Sequence, residues 1–186
     1  MMEDLEIFVL AGGKSSRMGS DKGLVMHRGK PMISHILEVL TPLSSSVSLI
    51  TGNEAYRQFG YPLIEDEIPE QGPCGGVFTA LKKSRNNRVL VTACDLPELV
   101  PALFVAMLTA MGSADIVYAS VHGRPEPLVA IYHSRCIERW EQLIASGTRK
   151  MTDFFACFDC VTFEATLLPE WHEKMFMNVN SPKELE

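Results

Sequence analysis

Apolar residues fall along this chain in two alternating patterns: short continuous runs, and longer stretches at helical spacing. Ile7-Phe8-Val9-Leu10 is an unbroken run, as expected of a strand buried on both faces. Ser46 to Thr51, Tyr61 to Ile64, Arg88 to Thr92, Asp115 to Ala119, Leu128 to Tyr132 and Val161 to Phe163 read as further strands. Between them, Met32 to Leu40 carries apolar residues at 32, 33, 36, 37 and 40, and Pro31 suits its first turn. Val77 to Lys83 predicts a helix with Lys82 and Lys83 favourably placed at its end, and Pro101 to Met111 a strongly apolar one. Ile137 to Ile144 and Thr152 to Phe155 are helical as well, and the segment Phe176 to Leu185 closes the chain.

Strands alternating with helices of ~10 residues predict an α/β fold, a mainly parallel sheet covered by helices on both faces. Ligands in such sheets lie beyond the carboxyl ends of the strands. The glycine-rich stretch after Leu10, Asp66, Cys94-Asp95 and the stretch after Phe176 all follow expected strands, so they can converge on one cleft.

With 186 residues, 46% hydrophobic and 22% charged, the chain suits one domain over residues 1–186 with a sizeable core. A net charge of −6 argues against a broad nucleic-acid or anionic-membrane surface. No apolar stretch approaches the ~18 residues of a membrane span, and the acidic start Met1 to Glu6 has no signal-peptide character, so a cytoplasmic location is expected. The five cysteines fit a reducing compartment. Cys157 and Cys160 have the spacing of half a zinc or redox site, with no second pair to complete it.

Leu10-Ala11-Gly12-Gly13-Lys14-Ser15-Ser16-Arg17-Met18-Gly19-Ser20-Asp21-Lys22 follows the first strand directly. Glycines let backbone N–H groups approach an anion, and Lys14, Arg17 and Lys22 concentrate positive charge in an acidic chain. A Walker A loop would need glycine where Phe8 stands, and adjacent Gly12 and Gly13 do not fit the spacing of a dinucleotide fingerprint. The pattern L-A-G-G-x-S-x-R-M-G-x-D-K instead closely resembles the start of the molybdenum cofactor guanylyltransferases, within the nucleotidyltransferases that share a nucleotide-diphospho-sugar transferase fold.

Cys94-Asp95-Leu96-Pro97 is similar to that family's C-D-x-P motif, Gly72-Pro73-Cys74-Gly75-Gly76 to its G-P-L-A-G loop, with Cys74 and Gly75 in place of Leu and Ala. Glu126-Pro127-Leu128 resembles an acceptor-side E-P-L element, and Phe176 to Pro182 the F-x-N-V-N-T-P segment, with Ser181 for Thr. The resemblance implies a three-layer α/β/α, Rossmann-like fold with a mixed, mainly parallel sheet. It also implies a Mg²⁺-dependent transfer of GMP from GTP to the terminal phosphate of molybdenum-bound molybdopterin. Transient contact with proteins that deliver or receive the cofactor belongs to the same expectation.

In that chemistry charge builds on a leaving pyrophosphate, so positioned cations matter more than a covalent nucleophile. Arg17 and Lys22 would neutralise the triphosphate. Asp95, just past an apolar strand, is the expected Mg²⁺ ligand, and Asn178 and Asn180 would bind the second substrate or complete the metal site. The resemblance further places Leu10, Ala11, Gly12, Gly13, Asn53, Asp66, Gly72 and Gly76 at the nucleotide, with Asp66 accepting from guanine or ribose. Bland roles stay open: a turn-forming Asp95, a polar loop residue at Asn53, and a helix cap at the asparagines. Also open are a relative using CTP or another phosphorylated acceptor, although Gly12-Gly13 favours the guanylyl side over the A-A-G of cytidylyl relatives, and a non-catalytic GTP-binding protein of the same fold. The histidines are scattered, and no serine-nucleophile elbow is present.

Overall fold

In a computed structural model of the chain, which describes residues 4–12 and 21–177, one seven-stranded sheet runs through the molecule. Its strands are β1 (Leu5–Leu10), β4 (Val47–Ile50), β5 (Leu63–Ile64), β6 (Arg88–Ala93), β7 (Ile116–Val121), β8 (Arg124–His133) and β9 (Cys160–Glu164). The order across the sheet is β5-β4-β1-β6-β8-β7-β9. All neighbours are parallel except where β8 pairs with β6 and β7. A two-stranded ribbon, β2 (Met26–His27) and β3 (Lys30–Pro31), lies apart. Its tight turn places Arg28 and Gly29 at φ +47° and +83°, the left-handed pair that matches strand twist.

The continuous apolar runs are strands because both faces of the sheet are covered. Leu5, Ile7 and Val9 point into one core with Leu90 and Ile131, under α1 (Met32–Leu40) and α3 (Pro101–Met111). Phe8, Val89, Val91 and Tyr132 point into the other, under α2 (Pro73–Lys83), α4 (Ile137–Ala145) and α5 (Met151–Phe155). This is the expected three-layer α/β/α arrangement, with one helix layer on each face. The spaced apolar positions of α1 are the buried ones, Met32, Ile33, Ile36, Leu37 and Leu40.

Three local expectations are corrected. Pro31 is the residue before α1 and ends β3, and is not in the first helical turn. The glycine-rich stretch Gly72 to Gly76 is no loop beyond its first residue: α2 begins at Pro73, and Cys74 to Leu81 are all buried. Glycines fit there because the helix is pressed against its surroundings; a Cβ on Gly76 would sit 2.7 Å from Leu10 Cδ2, and one on Gly75 would sit 3.0 Å from the Ile68 carbonyl oxygen. Finally, β8 extends back to Arg124, so Glu126-Pro127-Leu128 lies inside a strand. Consecutive Tyr118 and Ala119 pair with Ala130 and Glu126, so Pro127, Leu128 and Val129 bulge between the partners. Pro127 has no N–H to give the ladder, which explains a break there.

Candidate active site

The carboxyl ends of β1, β4 and β6 and the first turn of α2 surround a cavity of about 340 Å³. Leu10 and Gly12 enter it from β1, Ile50 from β4, and Ala93, Cys94 and Asp95 from β6. Gly72, Pro73 and Gly76 form the wall at the N-terminus of α2, Asp66 follows β5, and the bulge in β8 delivers Leu128. Asp21 and Lys22 close the remaining side. Helix α2 therefore aims the positive end of its dipole at the cavity, which suits an anion.

Lys22 and Asp95 meet inside it, with Nζ 3.2 Å from Oδ2 and side chains 30% and 17% exposed. The first residues past β6 thus place a partly buried carboxylate beside a cation at the same cavity. The neighbouring Cys94 thiol is pushed up to about 12 by complete burial and by the carboxylates of Asp95 and Asp21, so it stays protonated and unreactive near neutral pH.

Asp66 is half-buried, and loss of solvent raises its pKa above the usual carboxylate range, with the Thr79 hydroxyl opposing. Thr79 Oγ1 has one proton, and the Gly75 carbonyl at 2.9 Å is a closer acceptor than Asp66 Oδ1 at 3.4 Å. The Asp66 loop is nevertheless fixed to α2: the Glu67 N–H donates to Thr79 Oγ1 at 3.0 Å, and Lys82 and Lys83 both reach the Glu67 carboxylate. Those two lysine bonds hold Glu67 down at about 2.

The cavity therefore gathers Leu10, Gly12, Lys22, Asp66, Gly72, Gly76 and Asp95 from the residues expected of it. Ala11 lies elsewhere: it is fully buried, and its N–H donates to the Ile50 carbonyl at 3.0 Å. Asn53 does not line the cavity either. Its Oδ1 caps the 3-10 helix Glu54–Phe59 by accepting from the Ala55 N–H at 3.0 Å, and its Nδ2 donates to Asp21. Gly13, Arg17, Asn178 and Asn180 lie outside the described residues. Sequence reading gave Asp21, Cys94 and Leu128 no role of their own, although each stood in a quoted motif, and it missed the buried Tyr56.

A Mg²⁺ ion asks for hard oxygen ligands and keeps much of its water shell. Asp95 and Asp66 bring carboxylates to the cavity wall, and the one thiol there is protonated, so the donor set fits a hard divalent ion. Among the described residues no cluster of three or more His, Cys, Asp and Glu side chains suits an all-protein metal cage. Cys157 and Cys160 donate to the Asp153 and Phe155 carbonyls, and burial pushes Cys160 up to about 11.

A mostly parallel sheet with its cleft at the strand ends defines an α/β protein, and its structural neighbours place it with the nucleotide-diphospho-sugar transferase type of fold. Residues 7–161 match the MobA-like NTP transferase domain, and the chain belongs to that family. It is 33% identical to a probable molybdenum cofactor guanylyltransferase of Flavobacterium johnsoniae, covering 99% of this chain and 96% of the relative. A probable molybdenum cofactor guanylyltransferase of Carboxydothermus hydrogenoformans is 34% identical, covering 100% and 95%. In structure it is similar to molybdopterin-guanine dinucleotide biosynthesis protein A from Archaeoglobus fulgidus, with a TM-score of 0.81, 25% identity, and 97% and 94% of the two chains covered. A cytidylyltransferase from Thermus thermophilus shares the fold, with a TM-score of 0.72 at 13% identity over 98% and 95% of the chains. Among the described residues no helix is long and apolar enough to cross a membrane.

Proposed function

We propose that this protein transfers GMP from GTP to the terminal phosphate of molybdenum-bound molybdopterin, releasing pyrophosphate and forming the guanine dinucleotide cofactor. The observation that carries the reading is the meeting of Lys22 and Asp95 at 3.2 Å inside the strand-end cavity. Its support in kind comes from full-length relatives named as molybdenum cofactor guanylyltransferases.

The acceptor phosphate is ionised near neutral pH and needs no strong base. Orientation is the main requirement: an acceptor oxygen attacks the α-phosphorus in line, a P–O bond forms there, and the bond to the β-phosphate bridging oxygen breaks. Lys22 would sit against the triphosphate and balance the charge that grows on the departing pyrophosphate. Arg17 would grip the same phosphates with its planar fork. Asp95 is the residue that would hold Mg²⁺, which supplies charge neutralisation on the phosphate oxygens when bound. Asp66 would accept from the guanine N1–H and N2–H₂ edge or from ribose hydroxyls, and Gly12, Gly72 and Gly76 would let the nucleotide approach the backbone. Asn178 and Asn180 would serve the acceptor.

Calorimetric titration with GTP, CTP, ATP and UTP, each with Mg²⁺, tests the base, and pyrophosphate release on adding molybdenum-bound molybdopterin tests the acceptor. Selective binding of GTP with acceptor-dependent release is expected. A preference for CTP, or release driven equally well by an unrelated phosphate monoester, would overturn the assignment.

A further inference from the structure

Asp21 immediately precedes Lys22, and its carboxylate collects three donors. The Gly23 N–H reaches Oδ1 at 3.3 Å, Asn53 Nδ2 reaches Oδ2 at 3.2 Å, and the Tyr56 hydroxyl donates to Oδ1. Tyr56 is fully buried, so its hydroxyl must find a partner inside the protein, and the partner it finds lies 35 residues away in sequence. Burial holds the phenol well above its ordinary range, so it keeps its proton and can only offer it, which makes Asp21 the acceptor. Residue 23 allows the approach because it has no side chain: a Cβ there would overlap the Tyr56 hydroxyl.

Asn53 belongs to the same lock. Its oxygen accepts from the Ala55 N–H and its nitrogen donates to Asp21, while the side chain stays out of the cavity lining. The segment after β4 thus holds the carboxylate of the residue before Lys22 through two side chains. A long lysine loses considerable side-chain entropy when held in one place, so fixing its backbone in advance lowers the cost of engaging a phosphate.

Resting on the guanylyl-transfer reading above, we propose that Tyr56 and Asn53 are positioning residues that, through the Asp21 carboxylate, hold Lys22 in place for the triphosphate. Neither touches the nucleotide. Their contribution is confined to the phosphates that Lys22 meets and is absent for the base.

The test compares GTP and GMP affinity by titration calorimetry in the parent, Tyr56→Phe, Lys22→Ala and the double variant. Tyr56→Phe keeps the ring and removes only the donor. It is expected to weaken GTP about fivefold to tenfold, the size of one typical hydrogen bond, and to leave GMP within about twofold. In the Lys22→Ala background the same substitution should change GTP affinity by less than about twofold, because its route of action is gone. Asn53→Asp serves if Tyr56→Phe does not fold: it keeps the cap on the 3-10 helix but replaces the donor to Asp21 by a like charge, and the same selective loss is expected. Unchanged GTP affinity in either variant, equal losses for GTP and GMP, or full additivity with Lys22→Ala overturns the inference. A parent that binds no GTP overturns the guanylyl reading and this inference together, whereas a binding parent with an indifferent Tyr56→Phe overturns the inference alone.

Discussion

Lys22 Nζ stands 3.2 Å from Asp95 Oδ2, although 73 residues of chain separate them. Lys22 opens a short 3-10 helix, Lys22–Leu24, and Asp95 lies two residues past the end of β6, which pairs in parallel with β1. The two side chains are only 30% and 17% exposed, so the loss of solvent offsets much of the attraction and the pair adds little net stability. Its significance is that it places a cation and a carboxylate within reach of one ligand.

Asp95→Ala should reduce Mg²⁺-dependent pyrophosphate release by about a hundredfold or more, a loss comparable to removing one preorganised electrostatic group from an active site. Circular dichroism should match the parent, because the side chain lies at the cavity wall and not in either core. Steady-state turnover measured across Mg²⁺ concentrations checks the point, and turnover equal to the parent would remove Asp95 from the metal role.

Gly76→Ala and Gly75→Ala should separate binding from stability. The Cβ on residue 76 meets the tip of Leu10 at 2.7 Å, and that side chain borders the cavity and can swing into it. The helix gains about 0.5–1 kcal/mol from alanine, so stability should change little while GTP binding weakens severalfold. On residue 75 the new methyl meets the Ile68 carbonyl, which is backbone and cannot rotate away. Overpacking of that kind costs about 1–3 kcal/mol. Urea unfolding together with nucleotide titration distinguishes the two outcomes; equal behaviour of both variants would sink the distinction.

Acidification should weaken GTP binding earlier than an exposed aspartate would require. Burial raises the Asp66 pKa from 3.8, so the carboxylate takes up its proton at a higher pH and loses its ability to accept from guanine or ribose. For the fold the sign is opposite: a raised native pKa means the native state holds the proton more tightly, so this group's contribution to stability increases as pH falls through that value. Affinity measured from pH 7 downward should decline in the parent, and Asp66→Asn should be weak throughout with the Asp66 component of the decline missing. A profile for Asp66→Asn that parallels the parent's would exclude Asp66 as the titrating group.

Much of the architecture was legible because a strand covered on both faces must be apolar at every position. Ile7-Phe8-Val9-Leu10 and Val89-Leu90-Val91 carry that requirement openly, and α1 shows its one buried stripe at helical spacing. The start of α2 was not legible, since Gly75 and Gly76 are poor helix formers chosen for close packing against Ile68 and Leu10, partners invisible from local spacing. The direction of β8 was hidden for a related reason. A strand buried on both faces has the same composition whichever way it runs, and only its pairing with β6 and β7 distinguishes the two.

At the site, Gly12, Lys22, Asp66 and Asp95 could be picked out in advance because the segments that carry them come after strands and hold residue types that phosphate or nucleotide chemistry needs. Tyr56 could not, because one tyrosine in a polar stretch announces neither its burial nor its bond to Asp21. Amino-acid order alone determined where most strands and helices fall and which side chains carry charge, since periodicity and side-chain chemistry are local properties. Tertiary structure alone decided that Asp95 faces Lys22, that Tyr56 and Asn53 reach the Asp21 carboxylate, and that Ala11 and Asn53 are not among the residues lining the cavity, because those outcomes depend on how distant strand ends are brought side by side.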